Sequence, residues 1–190
     1  MTIDETWATS PVGDVWWAAR DGAVVAMGFD VQVPSLRDRL SRRFPGDGWR
    51  DDADAAGARG AIAAYFAGDL RALASVRTDA SGPPFHERVW RELRAIPPGA
   101  TTSYGALALA LGSPRSARAV GSANARNPIS LIVPCHRVIG AAGDLCGYAG
   151  GERRKRWLLA HEALFTRAAR PRTETAARDR ALRASSGFAG

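Results

Sequence analysis

A cysteine and a histidine stand side by side at Cys135 and His136, directly after the apolar run 129–133. A thiol is a weak nucleophile until it loses its proton, and an ordinary thiol pKa of about 8.5 leaves little thiolate at neutral pH. An imidazole within reach can take that proton. The run predicts a strand that ends at Cys135 and projects the thiol from a rigid scaffold. Neighbouring residues on a strand point to opposite faces, so the pair needs support from elsewhere in the chain.

The first part of the chain predicts a small α/β unit. Short apolar stretches within residues 6–33, broken by turn residues, indicate two or three strands. Helices are predicted over 35–44 and 55–67, with a Gly/Asp-rich loop at 45–54. The sequence Ser81-Gly82-Pro83-Pro84 marks a boundary, because consecutive prolines continue neither a helix nor a strand. We therefore expect domains at 1–80 and 81–165, followed by an Arg-rich tail at 166–190 that is mobile or only partly helical.

The second part of the chain predicts helices. Residues 104–111 and 115–126 indicate a helix-turn-helix, with Ser113 capping the second helix. That helix mixes arginines with Ala, Ser and Gly. Small residues allow close approach to a nucleic-acid backbone and arginines supply phosphate contacts, so it is the predicted recognition helix. Further helices are predicted over 85–95 and 152–165.

The net charge of +7 is unevenly distributed along the chain. Residues 1–81 carry 9 arginines and 12 acids, whereas residues 82–165 carry 11 basic and 5 acidic residues. The basic half coincides with the cysteine and the recognition helix, as binding to a polyanion requires. Only one of the 26 basic residues is lysine, so a nucleotide composition bias is an alternative explanation of the overall charge.

Composition also excludes several classes of protein. No run of eighteen apolar residues exists, which excludes a transmembrane helix, and the acidic start is unlike a secretory signal. Two cysteines, Cys135 and Cys146, are too few for a disulfide framework, so a reducing, cytoplasmic location is expected. Residues 1–81 contain neither Cys nor His, which excludes a zinc site built from those ligands there. We expect no metal and no cofactor.

Eight short segments between residues 85 and 162 occur in the order and at the spacings of a known family. They are Phe85–Trp90, Ile96–Gly99, Thr102–Gly105, Arg118–Gly121, Asn127–Pro128, Pro134–Val138, Gly147–Gly150 and Trp157–Glu162. Together they resemble the C-terminal domain of the O6-alkylguanine-DNA alkyltransferases, the methylated-DNA–protein-cysteine methyltransferases. Any one segment is weak, but eight in order are highly specific. The resemblance is looser over residues 1–80 and absent after about residue 166.

The resemblance implies a fold and an activity. The fold is an N-terminal ribonuclease-H-like α/β domain followed by a mainly helical C-terminal domain with the helix-turn-helix. The activity is DNA repair by irreversible, single-turnover transfer of an alkyl group from O6-alkylguanine in double-stranded DNA to Cys135, after the base is flipped out of the duplex. O4-alkylthymine as a second substrate and cooperative loading on DNA are left open. We expect a monomer in solution.

The resemblance also implies catalytic roles. Cys135 is the nucleophile and alkyl acceptor, and His136 is its base, acting through a water molecule. Glu162 holds the imidazole in the useful tautomer, which is the logic of a nucleophile–His–acid triad. Tyr104 donates its hydroxyl hydrogen to guanine N3, where negative charge develops as the alkyl group leaves.

A further set of residues is implied for DNA binding and for the base pocket. Arg118 intercalates in place of the flipped base. Other DNA contacts are expected from Ser113, Arg115, Ala119, Gly121 and Arg126. The pocket is expected to use Val138, Tyr148 and Ala149, with backbone groups of Cys135, Val138 and Ala149 reading the guanine edge. Asn127 is expected to support the turns structurally and Arg137 to form an ion pair. Lys155 is expected to position the loop Gly147–Gly150, called the pocket loop below.

Two other functions are compatible with parts of this pattern. A non-catalytic module of the same fold would flip and flag alkylated bases, but such proteins lack the acceptor cysteine. A thiol hydrolase built on Cys135, His136 and Glu162 would need an oxyanion hole, and it would leave the helix-turn-helix and Arg118 unexplained.

Overall fold

Four strands form a sheet in the order β3-β2-β1-β4 in the computed structural model, which describes residues 1–145 and 147–169. Strands β1 (Thr2–Ala8), β2 (Val15–Arg20) and β3 (Ala23–Phe29) are antiparallel, and β4 (Gly48–Asp51) runs parallel to β1. The predicted loop at 45–54 is wrong where β4 lies. This short edge strand is held by backbone pairing with β1, so it requires no apolar alternation in its own sequence.

Two helices accompany the sheet. Helix α1 (Val33–Arg43) follows a 3-10 turn and packs Leu36 and Leu40 against one face, where Trp16 is fully buried. Helix α2 (Ala58–Phe66) belongs to the opposite side, where its Ile62 and Tyr65 join the main hydrophobic core. The sheet is thus covered on both faces, which makes the expected mixed α/β architecture correct for this part of the chain.

The remaining elements are mostly helical. They are α3 (Pro84–Ala95), β5 (Thr102–Ser103), α4 (Tyr104–Ala110), α5 (Ala117–Ala125), β6 (Val138–Ile139) and α6 (Glu152–Ala169). Helix α5 begins two residues later than predicted, and Ser113 does not cap it. Instead, the Ser116 N–H donates to the Ser113 carbonyl at 2.9 Å, so Ser113 belongs to the turn between α4 and α5.

The apolar run before Cys135 is not a strand, so that prediction is wrong. All of residues 129–133 are buried, but they fold as consecutive turns, with Leu131 in the left-handed region at φ +67°. The side chain of Asn127 donates to the Val133 carbonyl at 2.7 Å and accepts from the Ile129 N–H at 3.0 Å. An Asn side chain that satisfies backbone groups locally offers the chain an alternative to sheet pairing. Apolar composition alone therefore could not distinguish this turn from a strand.

This segment is attached to the edge of the sheet. The Met27 N–H donates to the Pro128 carbonyl at 2.8 Å, and the Ser130 N–H donates to the Met27 carbonyl at 2.8 Å. One buried cluster combines side chains from both parts of the chain, including Trp17 and Leu158. The domain division near residue 81 stays a prediction, and the residues around Cys135 rest on the sheet of the first part.

The last helix, α6, extends to Ala169, beyond the predicted end at 165. The expected tail from residue 170 onward, and Cys146, lie outside the described residues. Within residues 1–145 and 147–169, no helix combines the length and the apolar character needed to cross a membrane. The same residues contain no group of three or more His, Cys, Asp or Glu side chains that could hold a metal ion.

Candidate active site

Cys135 is the first residue of a 3-10 turn, Cys135–Arg137, that leads into β6. Its backbone is held on both sides: the N–H donates to the Val133 carbonyl at 2.8 Å, and the carbonyl accepts from Asn124 Nδ2 at 3.4 Å. The side chain is almost completely buried. Burial raises the pKa of the Cys135 thiol, while a hydrogen bond from Asn127 and the charge of Lys155 oppose the rise. The thiol is therefore protonated at neutral pH and needs a base to become a nucleophile.

His136 has its orientation set by Glu162. Both side chains are fully buried, and His136 Nε2 lies 2.9 Å from Glu162 Oε1. An ionised carboxylate can only accept hydrogen bonds, so Nε2 carries the hydrogen and Nδ1 presents a lone pair. Burial lowers the pKa of His136, although the hydrogen bond and charge of Glu162 oppose this. The ring is thus a neutral imidazole in the one tautomer that leaves Nδ1 able to accept a proton.

Glu162 is the centre of a buried network. Besides His136, it accepts from Arg137 Nη2 at 2.8 Å, from the Tyr65 hydroxyl at 2.9 Å and from the Gly99 N–H at 3.0 Å. Burial pushes the pKa of Glu162 upward, but the hydrogen bonds and charges of His136 and Arg137 outweigh it and hold the pKa well below its usual range. The carboxylate therefore stays ionised at any pH at which the protein works.

Two members of this network, and one further residue that contacts Cys135, escaped the sequence analysis. Tyr65 reads as one apolar residue on the face of a helix, and nothing local shows that its hydroxyl meets a carboxylate 97 residues away in the chain. Burial, followed by the charge of Glu162, raises the pKa of Tyr65, so the phenol remains a donor. Gly99 contributes only a backbone N–H. Asn124 lies on α5, the predicted recognition helix, among DNA-contact candidates, yet its side chain points inward to Cys135.

Three buried polar atoms near the thiol make no hydrogen bond with the described residues: His136 Nδ1, the Tyr148 hydroxyl and Asn124 Oδ1. The Tyr148 ring packs edge-on against the His136 ring, with centroids 6.5 Å apart, and Asn124 contacts the Cys135 carbonyl. Buried polar groups are almost always satisfied, so unused capacity concentrated in one place indicates a site that receives further polar groups. This site lies directly beside Cys135.

The pocket candidates lie around the same point. Val138 is buried on β6, and its carbonyl accepts from Lys155 Nζ at 2.7 Å, which ties α6 to the cysteine turn. Tyr148 is buried and Ala149 is exposed in the loop that precedes α6. A carbonyl oxygen has two lone pairs, so the Lys155 contact leaves the Val138 oxygen able to accept once more.

Tyr104 is the first residue of α4 and lies between α5 and the pocket loop. A Cβ atom built on Gly147 would come 3.5 Å from the Tyr104 hydroxyl, and one built on Gly121 would come 3.8 Å from its ring. Tyr104 is half-buried. The tyrosine thus connects the proposed DNA-facing helix to the loop that carries Tyr148.

Helix α5 divides its residues between core and solvent. Val120 and Ala123 are buried, and the Ala123 carbonyl accepts from Trp90 Nε1 at 2.9 Å on α3. The DNA-contact candidates occupy the other side or its flanks: Arg115, Arg118, Ala119 and Arg126 are exposed, whereas Ser113 and Gly121 are half-buried. The helix therefore presents arginines and small residues outward, while its inner side supports Cys135 through Asn124.

Comparison with known proteins decides the family. Residues 84–164 match the family model described as the 6-O-methylguanine DNA methyltransferase, DNA binding domain. A methylated-DNA–protein-cysteine methyltransferase of Mycolicibacterium paratuberculosis is 53% identical over 154 residues, which cover 80% of this chain and 88% of the relative. The chain belongs to the 6-O-methylguanine DNA methyltransferase family.

Other members of the methyltransferase family agree in sequence and in structure. A methylated-DNA–protein-cysteine methyltransferase of Salmonella typhimurium is 57% identical over 101 residues, 53% of this chain. The chain spans about three-fifths of that relative's length, 59%. A crystal structure of Mycobacterium tuberculosis OGT in complex with DNA has a TM-score of 0.72 and 40% identity, with 85% of this chain and 94% of that chain covered.

Proposed function

We propose that this protein repairs alkylated DNA by moving the alkyl group of O6-alkylguanine onto Cys135, once per protein molecule. The observation that carries this proposal is the state of His136: its Nε2 is fixed by Glu162, its buried Nδ1 has spare capacity, and its neighbour in the chain is the buried Cys135. The names of the family's members and the DNA-bound relative supply the substrate class.

The reaction is a displacement at saturated carbon. His136 Nδ1 takes the thiol proton through a bridging water, and the thiolate forms an S–C bond as the bond between carbon and guanine O6 breaks. The departing guanine gains the negative charge, and Tyr104 offers its hydroxyl hydrogen to guanine N3. The proton held by His136 then returns to the guanine, so unmodified guanine and an S-alkylcysteine are the products. A thioether has no easy hydrolysis route, which limits each molecule to one turnover.

Both the neutral imidazole and the ionised Glu162 suit this step. A base must be unprotonated before the reaction, and burial lowers the pKa of His136. When the imidazole accepts the proton it becomes a cation, and Glu162 at 2.9 Å is placed to stabilise it. Arg137 shares that carboxylate, which keeps it ionised while the ring is neutral.

The alkylated base lies inside the duplex, so the chemistry requires base flipping. Helices α4 and α5 serve as the helix-turn-helix. Arg118, exposed on the first turn of α5, fills the gap that the base leaves, and Arg115 and Arg126 contact phosphates. Tyr148 and the backbone of Ala149 line the base pocket.

The N-terminal sheet with its helices has the ribonuclease-H-like arrangement, and the division into domains falls near residue 81.

Intact-protein mass tests the proposal directly. The protein is incubated with duplex DNA containing O6-methylguanine, with Cys135→Ser as the control and a duplex containing O4-methylthymine in parallel. We expect a gain of one methyl mass on the wild-type protein alone, saturating at one equivalent. Tight lesion binding without any mass change would instead support a damage-flagging module, and repeated turnover would support a hydrolase.

A second experiment separates flipping from chemistry. Arg118→Ala removes the side chain that replaces the flipped base but touches neither the thiol nor His136. We expect a slower transfer from duplex DNA and an unchanged transfer from free O6-benzylguanine, which needs no flipping. Equal losses on both substrates would place Arg118 in the chemistry and contradict its assigned role.

A further inference from the structure

Arg154, near the start of α6, joins the pocket loop to the first part of the chain. It donates to the Gly150 carbonyl at 3.1 Å and to the Val12 carbonyl at 2.9 Å, and Nη2 lies 2.8 Å from Asp30 Oδ1. Its guanidinium also stacks on the Phe29 ring, 4.8 Å from the centroid. One side chain thus contacts the pocket loop, the turn between β1 and β2, and the end of β3.

The loop is seated tightly on the same surface. A Cβ atom at Gly150 would come within 2.7 Å of both the Phe29 ring and the Tyr148 ring, so only a glycine allows this approach. Across the contact, a Cβ atom at Gly13 would come 3.2 Å from Arg154 Nη2. The loop backbone at Gly150 therefore packs directly on Phe29, which belongs to the sheet of the first part.

A cavity lies at this junction, between the β1–β2 turn and α6. A cavity of about 310 Å³ lies elsewhere, beside α1, but a larger one of about 540 Å³ opens here. Pro11, Val12, Gly151 and Trp157 line it together with Arg154. Arg154 lies in the wall of this cavity, and its planar guanidinium bridges the edge by donating to the Val12 and Gly150 carbonyls.

We propose that Arg154 is a positioning residue that holds the pocket loop in its reactive place by clamping it to the N-terminal sheet. This inference rests on the proposed function, because it assigns the loop to the flipped base. The exposed Asp30 carboxylate adds little energy, since ion pairs at the surface are weak. The two carbonyl contacts and the stacking on Phe29 carry the clamp, and they require the flat, forked group of arginine.

The clamp acts on the rate of transfer. Tyr148 packs against His136. A shift of the loop therefore moves the wall of the pocket for the flipped guanine and also changes the surroundings of the His136 imidazole. A displacement of about 1 Å between reacting groups can cost about a hundredfold in rate. The N-terminal part of the chain supplies none of the proposed reacting groups, but through Arg154 it fixes the position of the loop beside them.

Three variants test the clamp: Arg154→Ala, Arg154→Lys and Arg153→Ala. Arg153 is the exposed neighbour with the same charge, so its variant controls for a general loss of positive charge. The readouts are the single-turnover rate with an O6-methylguanine duplex, the affinity for undamaged duplex, and hydrogen–deuterium exchange of residues 147–151. Lysine keeps the charge and the stem, so Arg154→Lys serves as the second variant if the alanine variant is poorly folded.

We expect Arg154→Ala to lower the transfer rate about tenfold or more, with faster exchange in residues 147–151 and unchanged affinity for undamaged duplex. Arg154→Lys should fall between it and the wild type, and Arg153→Ala should match the wild type. Transfer at the wild-type rate in both Arg154 variants, or an equal loss in Arg153→Ala, overturns the clamp. Failure of the proposed function has a different signature, because the wild-type protein itself would then take up no alkyl group.

Discussion

Replacing Glu162 by Gln should be among the most damaging single-atom changes in this protein. The carboxylate is fully buried and accepts hydrogen bonds from His136, Arg137, Tyr65 and the Gly99 backbone. Glutamine has nearly the same shape but no charge, and its amide NH2 cannot accept from Arg137. The buried guanidinium then lacks its counter-charge. Breaking a buried ion pair by removing one partner costs about 3–5 kcal/mol, a large fraction of the roughly 5–15 kcal/mol that stabilises a folded domain.

The matched control lies on the same helix. Glu152 pairs with Arg156 at 2.6 Å, but both side chains are more than half exposed. Such a pair contributes about 0.3–0.5 kcal/mol, so Glu152→Gln should barely change stability. Urea unfolding of both variants gives the difference through the transition midpoint, at constant dependence on denaturant. If Glu162→Gln lies within about 1 kcal/mol of Glu152→Gln, the Arg137–Glu162 pair does not hold this site together and the reasoning fails.

The loss of stability in Glu162→Gln should also depend on pH, in a direction that follows from the pKa of Glu162. The pKa of Glu162 is depressed by folding, so its stabilisation is complete above the unfolded carboxyl pKa of about 4.3 and is lost as the pH falls below that value. The stability difference between wild type and Glu162→Gln should therefore be constant near neutrality and shrink on acidification. Transfer should slow about a hundredfold at neutral pH, because His136 loses the acceptor that fixes its tautomer.

Three further predictions follow from the geometry around the site. Burial raises the pKa of the Cys135 thiol, so the rate of its alkylation by iodoacetamide should keep rising from about pH 7 to about pH 9 as thiolate forms. Protein mass measures the rate, and a plateau below about pH 7 would contradict the raised pKa. Asn127→Ala should lower the free energy of unfolding by about 1–3 kcal/mol, because the buried Ile129 N–H loses its acceptor and the Val133 carbonyl keeps only the Cys135 N–H. Urea unfolding measures this, and a loss under about 0.5 kcal/mol would refute the support role. Gly150→Ala should slow transfer about tenfold, since the new Cβ meets the Phe29 ring and displaces the loop. Its control is Gly60→Ala in α2, where the added methyl group meets no other atom. Alanine favours a helix more than glycine does, so this variant should raise stability by about 1 kcal/mol without changing transfer.

Local patterns predicted most of the elements. The apolar stretches in residues 6–33 indicated two or three strands and located β2 and β3, but they reached only the end of β1 (Thr2–Ala8). Apolar spacing placed the helices to within a few residues. The family followed from eight short motifs and is confirmed by the comparisons. The named roles of the site residues stay predictions, although the structure brings Cys135, His136 and Glu162 to one buried place.

The sequence by itself determined the approximate helices and the strands β2 and β3, because those elements depend on neighbours within a few positions. Only the tertiary structure showed that Ile129 to Val133 is a turn, since the backbone of Met27 on β3 pairs with Pro128 and Ser130 there. It also decided that Tyr65 meets Glu162 across 97 residues, and that Arg154 meets Val12 across 142. Such contacts depend on how distant elements pack together. The residues next to a side chain in the sequence do not indicate which distant group it will contact.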